Sequence, residues 1–254
     1  MEKGFEIKCL DHGFVRYIDH MGTDLDILEA ARLSYKSPSK GPEADKKLLH
    51  YLWKNKHTSP FEMIKLKVNI KLPIFVMRQY VRHRMQNLNE LSARYTELPN
   101  EFYVPTVWRR QDTKNKQGSV ADDAFRPVLN YYTGSDLSNP QPEGWILEPA
   151  TDLLRKHCES SYNLYTRMLE GGIAKEMARM VLPVNIYTEI YACWDMKNLI
   201  HFIGLRDDSH AQAEIQVYGK VIKEIARELF PWTIEAYEKY KWVIQEEACS
   251  VESQ

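Results

Sequence analysis

The residues with the clearest capacity for chemistry lie in one basic stretch, residues 78–94, which reads RQYVRHRMQNLNELSAR. It holds four arginines and His83 against a single acid, Glu90. On a helix, Arg78 and Arg82 would share a face, where like charges repel by a few tenths of a kcal/mol. Guanidinium groups form paired hydrogen bonds with phosphate, so a bound anion would offset this repulsion. The alternative is a solvated basic face that binds nothing.

A second cluster, LRDDSHAQAEI, lies at residues 205–215. In it, Arg206 precedes two aspartates, a serine and His210, at the predicted start of the longest helix. An Asp or Ser at this place can simply cap the helix, whereas Arg206 and the helix N-terminus can together bind an anion. A metal site is not indicated, because no further pair of ligands follows at a defined spacing.

The sequence leaves the roles of three further residues open. Arg179 can pair with Glu176 at the surface or point inward to an anion. His57 is typical of a turn histidine, and His201, within an apolar helix, is typical of a core histidine. No GxSxG or GxGxxG motif and no cysteine with a partnering motif is present, so neither a protein nucleophile nor a Rossmann loop is indicated. An enzyme of this kind would rely on a bound cofactor for its chemistry.

Composition limits the class of protein. The chain has 254 residues, 44% hydrophobic and 27% charged, with a formal net charge of -1. This is typical of a folded globular protein and argues against a surface wholly adapted to nucleic acid. No apolar stretch reaches the roughly 18 residues of a membrane span, and the N-terminus lacks the apolar region of a signal peptide. The four cysteines are dispersed without a CxxC pair, which argues against a zinc ribbon and fits a reducing cytoplasm.

The elements that must position these residues follow from periodicity. Aliphatic residues alternate with lysines over 64–72, which predicts a half-exposed strand of an antiparallel sheet. Pro73 then begins a helix through to about Arg84, with regularity lost around Asn87. Residues 107–144 are predicted to be a long irregular surface excursion. Further helices are predicted at 24–36, 43–54, 154–168, 174–182 and 198–205, from Asp208 to Leu229 and from there to about Glu246, with a strand at 186–194.

These elements predict an α+β fold, an antiparallel sheet with a predominantly helical remainder. No linker divides residues 1–254, so a single domain is expected.

The motif Arg82-His83-Arg84, then seven residues, then Ser92, matches the RHRX7S signature of the flavin-dependent thymidylate synthases, and the chain resembles that family. Six further blocks in the same order extend the resemblance over most of the chain. They are ARLSY at 31–35, HTSPFE at 57–62, the run 71–81, EFYVP at 101–105, ARMVLPVNIYT at 178–188 and LRDDSHAQAEIQ at 205–216.

The resemblance implies an enzyme that makes dTMP from dUMP. The carbon would come from 5,10-methylenetetrahydrofolate, and the reducing hydride from NAD(P)H through FAD, leaving tetrahydrofolate. No cysteine attacks the pyrimidine in this family. It also implies an α+β homotetramer whose active sites lie where subunits meet.

The resemblance assigns roles by position. Arg206 is the catalytic residue, stabilising the uracil ring as it loses its N3 proton. Arg94 is the candidate for the dUMP phosphate, with Arg179 reaching it from a neighbouring subunit. The substrate-binding residues are Gln79, Arg82, Glu90, Leu91, Ser92, Ala93, Arg94, Arg179 and Arg206, and the FAD-binding residues are Ser59, Arg82, His83, Arg84, Glu90, Asp195, Lys197 and His201.

Several FAD positions depart from the family's pattern. Ser59 stands where a threonine is usual, which keeps the hydroxyl. Asp195, Lys197 and His201 stand where the pattern has Asn, Arg and Asn. A carboxylate at 195 and the loss of a bidentate contact at 197 would weaken or redirect FAD binding, while His201 can contact the flavin or its adenine end.

Two alternatives remain at this point. A nucleic-acid-binding module would use the basic helix, with Tyr80, Tyr95 and Tyr103 as stacking groups. A relic would keep the fold and nucleotide binding without activity, and only the changes at Asp195 and Lys197 favour it.

Overall fold

The computed structural model describes residues 1–116, 118–122, 124–132 and 145–241, and its centre is an antiparallel sheet. The main sheet has the order β1-β2-β3-β9-β4, with every neighbouring pair antiparallel. Its outermost strands are the two shortest of the five. The strands are β1 (Glu6–Cys9), β2 (Gly13–Met21), β3 (Lys65–Pro73), β4 (Asn87–Glu90), β5 (Arg109–Gln111), β6 (Ser119–Ala121), β7 (Val128–Tyr132), β8 (Trp145–Pro149) and β9 (Tyr187–Asp195).

Helices supply most of the remaining described structure, which confirms the predicted α+β class. Two short 3-10 segments, Ser59–Met63 and Arg179–Val181, add to them. The helices are α1 (Asp24–Arg32), α2 (Pro42–Lys54), α3 (Ile74–Tyr80), α4 (Ala150–Glu170), α5 (Lys175–Ala178), α6 (Met196–Arg206), α7 (Ala213–Leu229) and α8 (Pro231–Lys239).

Strand β3 forms where the alternation of aliphatic residues and lysines predicts it. Its aliphatic side chains are fully buried in the core, whereas Lys65 and Lys67 are exposed. Asn69 departs from this pattern because it lies wholly buried on the polar face. Its amide donates to Glu189 Oε1 at 2.9 Å and to the carbonyl of Ile190 at 3.1 Å, which satisfies the buried group.

Helix α7 packs its apolar stripe against the sheet. Ile215, Tyr218, Ile222 and Ile225 are fully buried, as their spacing predicts. The helix begins at 213 rather than 208, and α4, with 21 residues, is longer. The residues before α7 form a turn, in which His210 donates its backbone N–H to Asp208.

Two other expectations are corrected. Helix α3 ends at Tyr80, so the RHR motif lies in a turn rather than on the helix. The excursion at 107–144 is not wholly irregular, because it contains the β5–β6 hairpin and begins the β7–β8 pair. The remainder of that excursion, 133–144, and the predicted helix end near 246 lie outside the described residues. The sequence also left β1, β2 and β4 unpredicted.

A buried carboxylate joins the two ends of the chain. Asp24 accepts hydrogen bonds from the backbone of Trp232 at 2.8 Å and Thr233 at 3.2 Å, and from Thr233 Oγ1 at 2.6 Å. It thereby satisfies the N-terminus of α8. We expect Asp24→Ala to lower the free energy of unfolding by about 2–3 kcal/mol, since it leaves these donors buried without an acceptor.

Chemical denaturation measures this loss. Glu29→Ala on the exposed face of the same helix is the matched control and should change the free energy of unfolding by less than about 0.5 kcal/mol. Equal stabilities of the two variants would contradict the role of Asp24.

Candidate active site

The basic stretch is an exposed cationic surface. Arg78, Arg82 and Arg84 are exposed and have no carboxylate partner in the described part of the chain. Unpaired guanidinium groups this close together repel one another unless an anion binds between them. The exposed charges therefore favour the binding of an anionic ligand over a solvated basic face that binds nothing.

Arg206 lies against this turn, at the C-terminus of α6. Its Nε donates to His83 Nε2 at 2.9 Å, and its NH2 group donates to the carbonyl of Gln79 at 3.4 Å. Because a guanidinium only donates, His83 Nε2 must be the acceptor and the ring proton sits on Nδ1. Burial, with the charges of Arg206 and His201, lowers the pKa of His83 to about 4. His83 is thus neutral at physiological pH and keeps Arg206 in place.

Gly219 permits this position of Arg206. A Cβ at Gly219 would lie 2.9 Å from the carbonyl carbon of Arg206 and 3.0 Å from the backbone nitrogen of Asp207. Only glycine lets α7 approach the end of α6 so closely. No motif in the sequence marks Gly219, and the close approach could not be predicted from spacing.

A cavity of about 450 Å³ lies on the other side of α3. Its floor includes Ile74, Met77 and Val81, which share a helix face. Glu90 is held at its edge by a hydrogen bond from Thr188 Oγ1 at 2.9 Å. The polar and predicted site residues in its wall are Arg78, Glu90, Leu91, Ser92, Ala93, Arg179 and Thr188.

The structure resolves the two options for Arg179. Glu176 accepts from Arg94 Nε at 3.0 Å, so Arg179 does not pair with Glu176 and instead lines the cavity. In this single chain, Arg179 and residues 90–93 line the same cavity, and the role expected of Arg179 toward a neighbouring subunit stays a prediction. Arg94, the predicted phosphate ligand, lies beside the cavity and is held by Glu176.

The predicted substrate residues therefore form two groups separated by α3. Residues 90–93 and Arg179 line the cavity, whereas Gln79 and Arg206 do not. Gln79 instead donates to the side chain of Gln212, just before α7. A ligand in contact with all of these residues needs more than one face of this chain.

The predicted FAD residues lie along α6 and its neighbours. Lys197 donates to Glu62 Oε1 at 2.8 Å, which places it beside the Ser59–Met63 segment. His201, one turn further along α6, is exposed rather than buried in the core, and its ring lies 5.8 Å from that of His83. Along α6, Lys197 thus lies beside the segment that contains Ser59, and His201 lies beside His83.

Asp195 has a structural task at the start of α6. Its carboxylate accepts from the backbone of Asn198 at 3.0 Å and from the Asn198 amide at 2.8 Å, a typical N-cap. We expect Asp195→Asn to keep the cap and bind FAD severalfold more tightly, since it removes a negative charge beside an anionic ligand. Asp195→Ala should lose about 1 kcal/mol of stability.

Titration of the flavin-free protein with FAD, and thermal unfolding of each variant, test this expectation. The Asn and Ala variants remove the same charge, so a comparison separates charge from capping. Weaker FAD binding by the Asn variant than by the wild type would contradict it.

Two of the three described thiols lie where burial disfavours the reactive thiolate; the third, Cys193, is only partly buried. Cys9 and Cys158 are buried, and burial raises the pKa of Cys9 to about 12 and that of Cys158 above its ordinary value. In the described ranges, no group of three or more His, Cys, Asp or Glu side chains is placed to hold a metal ion. Among the same residues, no helix has the length and apolar character needed to cross a membrane.

Known proteins match this chain over most of its length. The family model described as "Thymidylate synthase complementing protein" matches residues 16–232. A flavin-dependent thymidylate synthase of Thermus thermophilus is 44% identical over 241 residues, covering 94% of this chain and 81% of that protein. The one from Thermosipho melanesiensis is 41% identical over 237 residues, covering 93% and 95%.

A solved structure agrees with these relatives. The UMP/dUMP methylase PolB from Streptomyces cacaoi, bound with 5-Br UMP, has a TM-score of 0.72 and 29% identity, covering 92% of this chain and 97% of that one. The same methylase bound with 5-Br dUMP has a TM-score of 0.70. Together with the RHRX7S motif, these matches establish that the chain belongs to the flavin-dependent thymidylate synthase family.

Proposed function

We propose that this protein converts dUMP to dTMP with a bound FAD. The reaction balances as dUMP, 5,10-methylenetetrahydrofolate, NAD(P)H and a proton giving dTMP, tetrahydrofolate and NAD(P)⁺. The observation that carries the proposal is the contact of Arg206 with His83, which joins the predicted catalytic arginine to the RHRX7S motif.

The cavity beside α3 fits the phosphate end of dUMP. Arg179 and Arg78 give it positive charge and have no carboxylate partner among the described residues, and Ser92 adds a hydroxyl. Arginine suits phosphate because its planar group donates two parallel hydrogen bonds. We assign dUMP contacts to these residues and to Gln79, Arg82, Glu90, Leu91, Ala93, Arg94 and Arg206.

Arg206 acts on the pyrimidine ring. Its guanidinium stays charged at any working pH, so it favours the form of the ring that has lost its N3 proton. The added electron density makes C5 more nucleophilic toward the folate carbon. Neutral His83 accepts from Nε and the Gln79 carbonyl accepts from Nη2, which leaves Nη1 of Arg206 available for the ring.

The side chains along and beside α6 fit FAD. Arg82 and Arg84, which have no carboxylate partner in the described ranges, offer charge to its diphosphate, and His83 and His201 offer ring contacts. When bound, FAD carries the hydride from NAD(P)H to the transferred carbon. We assign the FAD contacts to these four residues and to Ser59, Glu90, Asp195 and Lys197.

A complete site would combine two chains. Gln79 and Arg206 do not line the cavity that holds Arg179, which fits a site in which a second copy supplies one of the two groups. We propose that this assembly is the homotetramer that the family resemblance implies, with residues 1–254 as a single catalytic domain. The three cysteines in the described part of the chain are free thiols, which supports a cytoplasmic location.

The nucleic-acid alternative is weakened by the aromatic side chains it requires. Tyr80 is fully buried against Trp194 and Phe202, and Tyr103 is half-buried and donates to Glu214. Neither presents an open face on which a base could stack. Only Tyr95 remains exposed.

The visible absorption spectrum of the purified protein, incubated with FAD and desalted, tests the cofactor and substrate classes together. We expect flavin bands that bleach under NAD(P)H without oxygen and shift when dUMP is added. A colourless protein that does not take up FAD would contradict the proposal and favour the relic.

A further inference from the structure

A chain of hydrogen bonds links the 107–144 excursion to the predicted substrate residue Gln79. Arg109, at the start of β5, donates from one guanidinium nitrogen to both oxygens of Glu214, at 2.7 and 2.8 Å. Gln212 Nε2 donates to Glu214 Oε2 at 2.8 Å, and Gln79 Nε2 donates to Gln212 Oε1. Four side chains from three parts of the sequence thus form one network.

The central carboxylate of this network is ionised. Glu214 is buried, with 5% of its side chain exposed. Burial raises its pKa, but hydrogen bonds from Arg109 and Gln212 outweigh this, so the pKa lies below its ordinary value. Tyr103 also donates to Glu214, at 3.2 Å. Glu214 therefore acts only as an acceptor.

Because Glu214 can only accept, it fixes the direction of the hydrogen bonds that run from it through Gln212 to Gln79. Gln212 must turn its NH₂ group to Glu214, which leaves its oxygen facing Gln79. Gln79 must then donate its own NH₂ group, because two carbonyl oxygens would otherwise face each other. These orientations follow from the ionised carboxylate and do not depend on how each amide is assigned. Gln79 Oε1 is left without a donor in the described part of the chain.

We propose that Arg109, Glu214 and Gln212 form a relay of positioning residues that fixes Gln79 with its amide oxygen toward the nucleotide, as an obligate hydrogen-bond acceptor. The inference rests on the proposed function for the identity of the nucleotide. It gives the excursion a role in the site, because β5 supplies the arginine that keeps Glu214 ionised. Loss of the relay lets the Gln79 amide rotate and present either end.

Variants that reverse the direction of the hydrogen bonds in the relay test the proposal. Gln79→Glu places a second acceptor against Gln212 Oε1, and Glu214 prevents Gln212 from turning over. We expect it to weaken dUMP binding by about tenfold or more. Adding Glu214→Gln lets Gln212 turn and donate to the new carboxylate, so the double variant should bind dUMP at least about threefold more tightly than Gln79→Glu alone. If Gln79 and Glu214 acted independently, the losses of dUMP-binding free energy from the two changes would instead add in the double variant.

The measurement is calorimetric titration of the FAD-loaded protein with dUMP, with thermal unfolding of each variant. Gln79→Glu with Asp207→Asn is the matched control, since it restores net charge outside the relay and should give no gain. If wild type does not bind dUMP, the proposed function itself fails. If wild type binds and the double variant shows no gain over Gln79→Glu, only the relay is overturned.

A second pair of variants keeps the test decisive if Gln79→Glu does not fold. Arg109→Gln should weaken dUMP binding severalfold with the fold intact, because Glu214 loses its charged partner. Arg110→Gln, the next residue of β5, whose partner is the surface residue Asp122, should bind as wild type does. Equal dUMP affinities for the two variants would overturn the relay.

Discussion

Arg206→Ala is expected to lower kcat by about 10²–10³-fold, the loss typical of removing one preorganised donor from a developing anion. The variant should fold and bind FAD, because the core beneath it is formed by other residues of α6 and α7. The loss should appear in kcat, since Arg206 acts on the ring as its charge develops. Steady-state assays with saturating dUMP and folate measure it.

Two comparisons make this prediction specific to the guanidinium. Arg206→Lys keeps the charge but cannot both donate to His83 and present a planar pair of donors, so its kcat should fall between those of alanine and wild type. Arg227→Ala, at an exposed pair with Glu238, removes an arginine of the neighbouring helix and should leave kcat unchanged. Near wild-type turnover for Arg206→Ala would contradict its assigned role.

Arg179→Ala should raise the Kd for dUMP by about 10–100-fold, because it removes a charged, bidentate phosphate contact. Glu176 is bonded to Arg94, and no other carboxylate of the described residues pairs with Arg179. Removal of Arg179 should leave the fold stable, since its side chain is exposed. Calorimetric titration of the FAD-loaded protein with dUMP measures the change.

Salt and a matched arginine provide the controls for this prediction. Added salt should weaken dUMP binding by wild type more steeply than by Arg179→Ala, since one cationic contact has gone. Arg155→Ala, on the exposed surface of α4 beside Asp152, should bind dUMP as wild type does. An unchanged Kd for Arg179→Ala would exclude Arg179 from the phosphate site.

The elements that the sequence predicts well are those with long, regular apolar spacing. Strand β3 and helix α7 each bury one clear face, so period alone locates them. Strand β2 escapes prediction because Phe14 and Ile18 place apolar side chains on its second face, and because its register shifts between Tyr17 and Asp19. Strand β4 is polar and exposed, and it forms only because β9 offers an edge.

The site is predictable as a set of residues but not as an arrangement. The RHRX7S motif identifies Arg82, His83 and Ser92, because it lies within one continuous stretch. The contact of His83 with Arg206 joins residues 123 positions apart in the chain, and only tertiary packing creates it. The separation of Arg179 from Gln79 by α3 likewise depends on the packed helix. No spacing rule reveals either feature.

The most direct test of the central claim is the reaction itself. FAD-loaded protein is incubated without oxygen with dUMP, 5,10-methylenetetrahydrofolate and NAD(P)H, and the nucleotides and folates are identified by mass spectrometry. We predict one dTMP and one tetrahydrofolate for each NAD(P)H oxidised. The absence of dTMP from a protein that binds both FAD and dUMP, or the appearance of dihydrofolate as the folate product, would contradict the account.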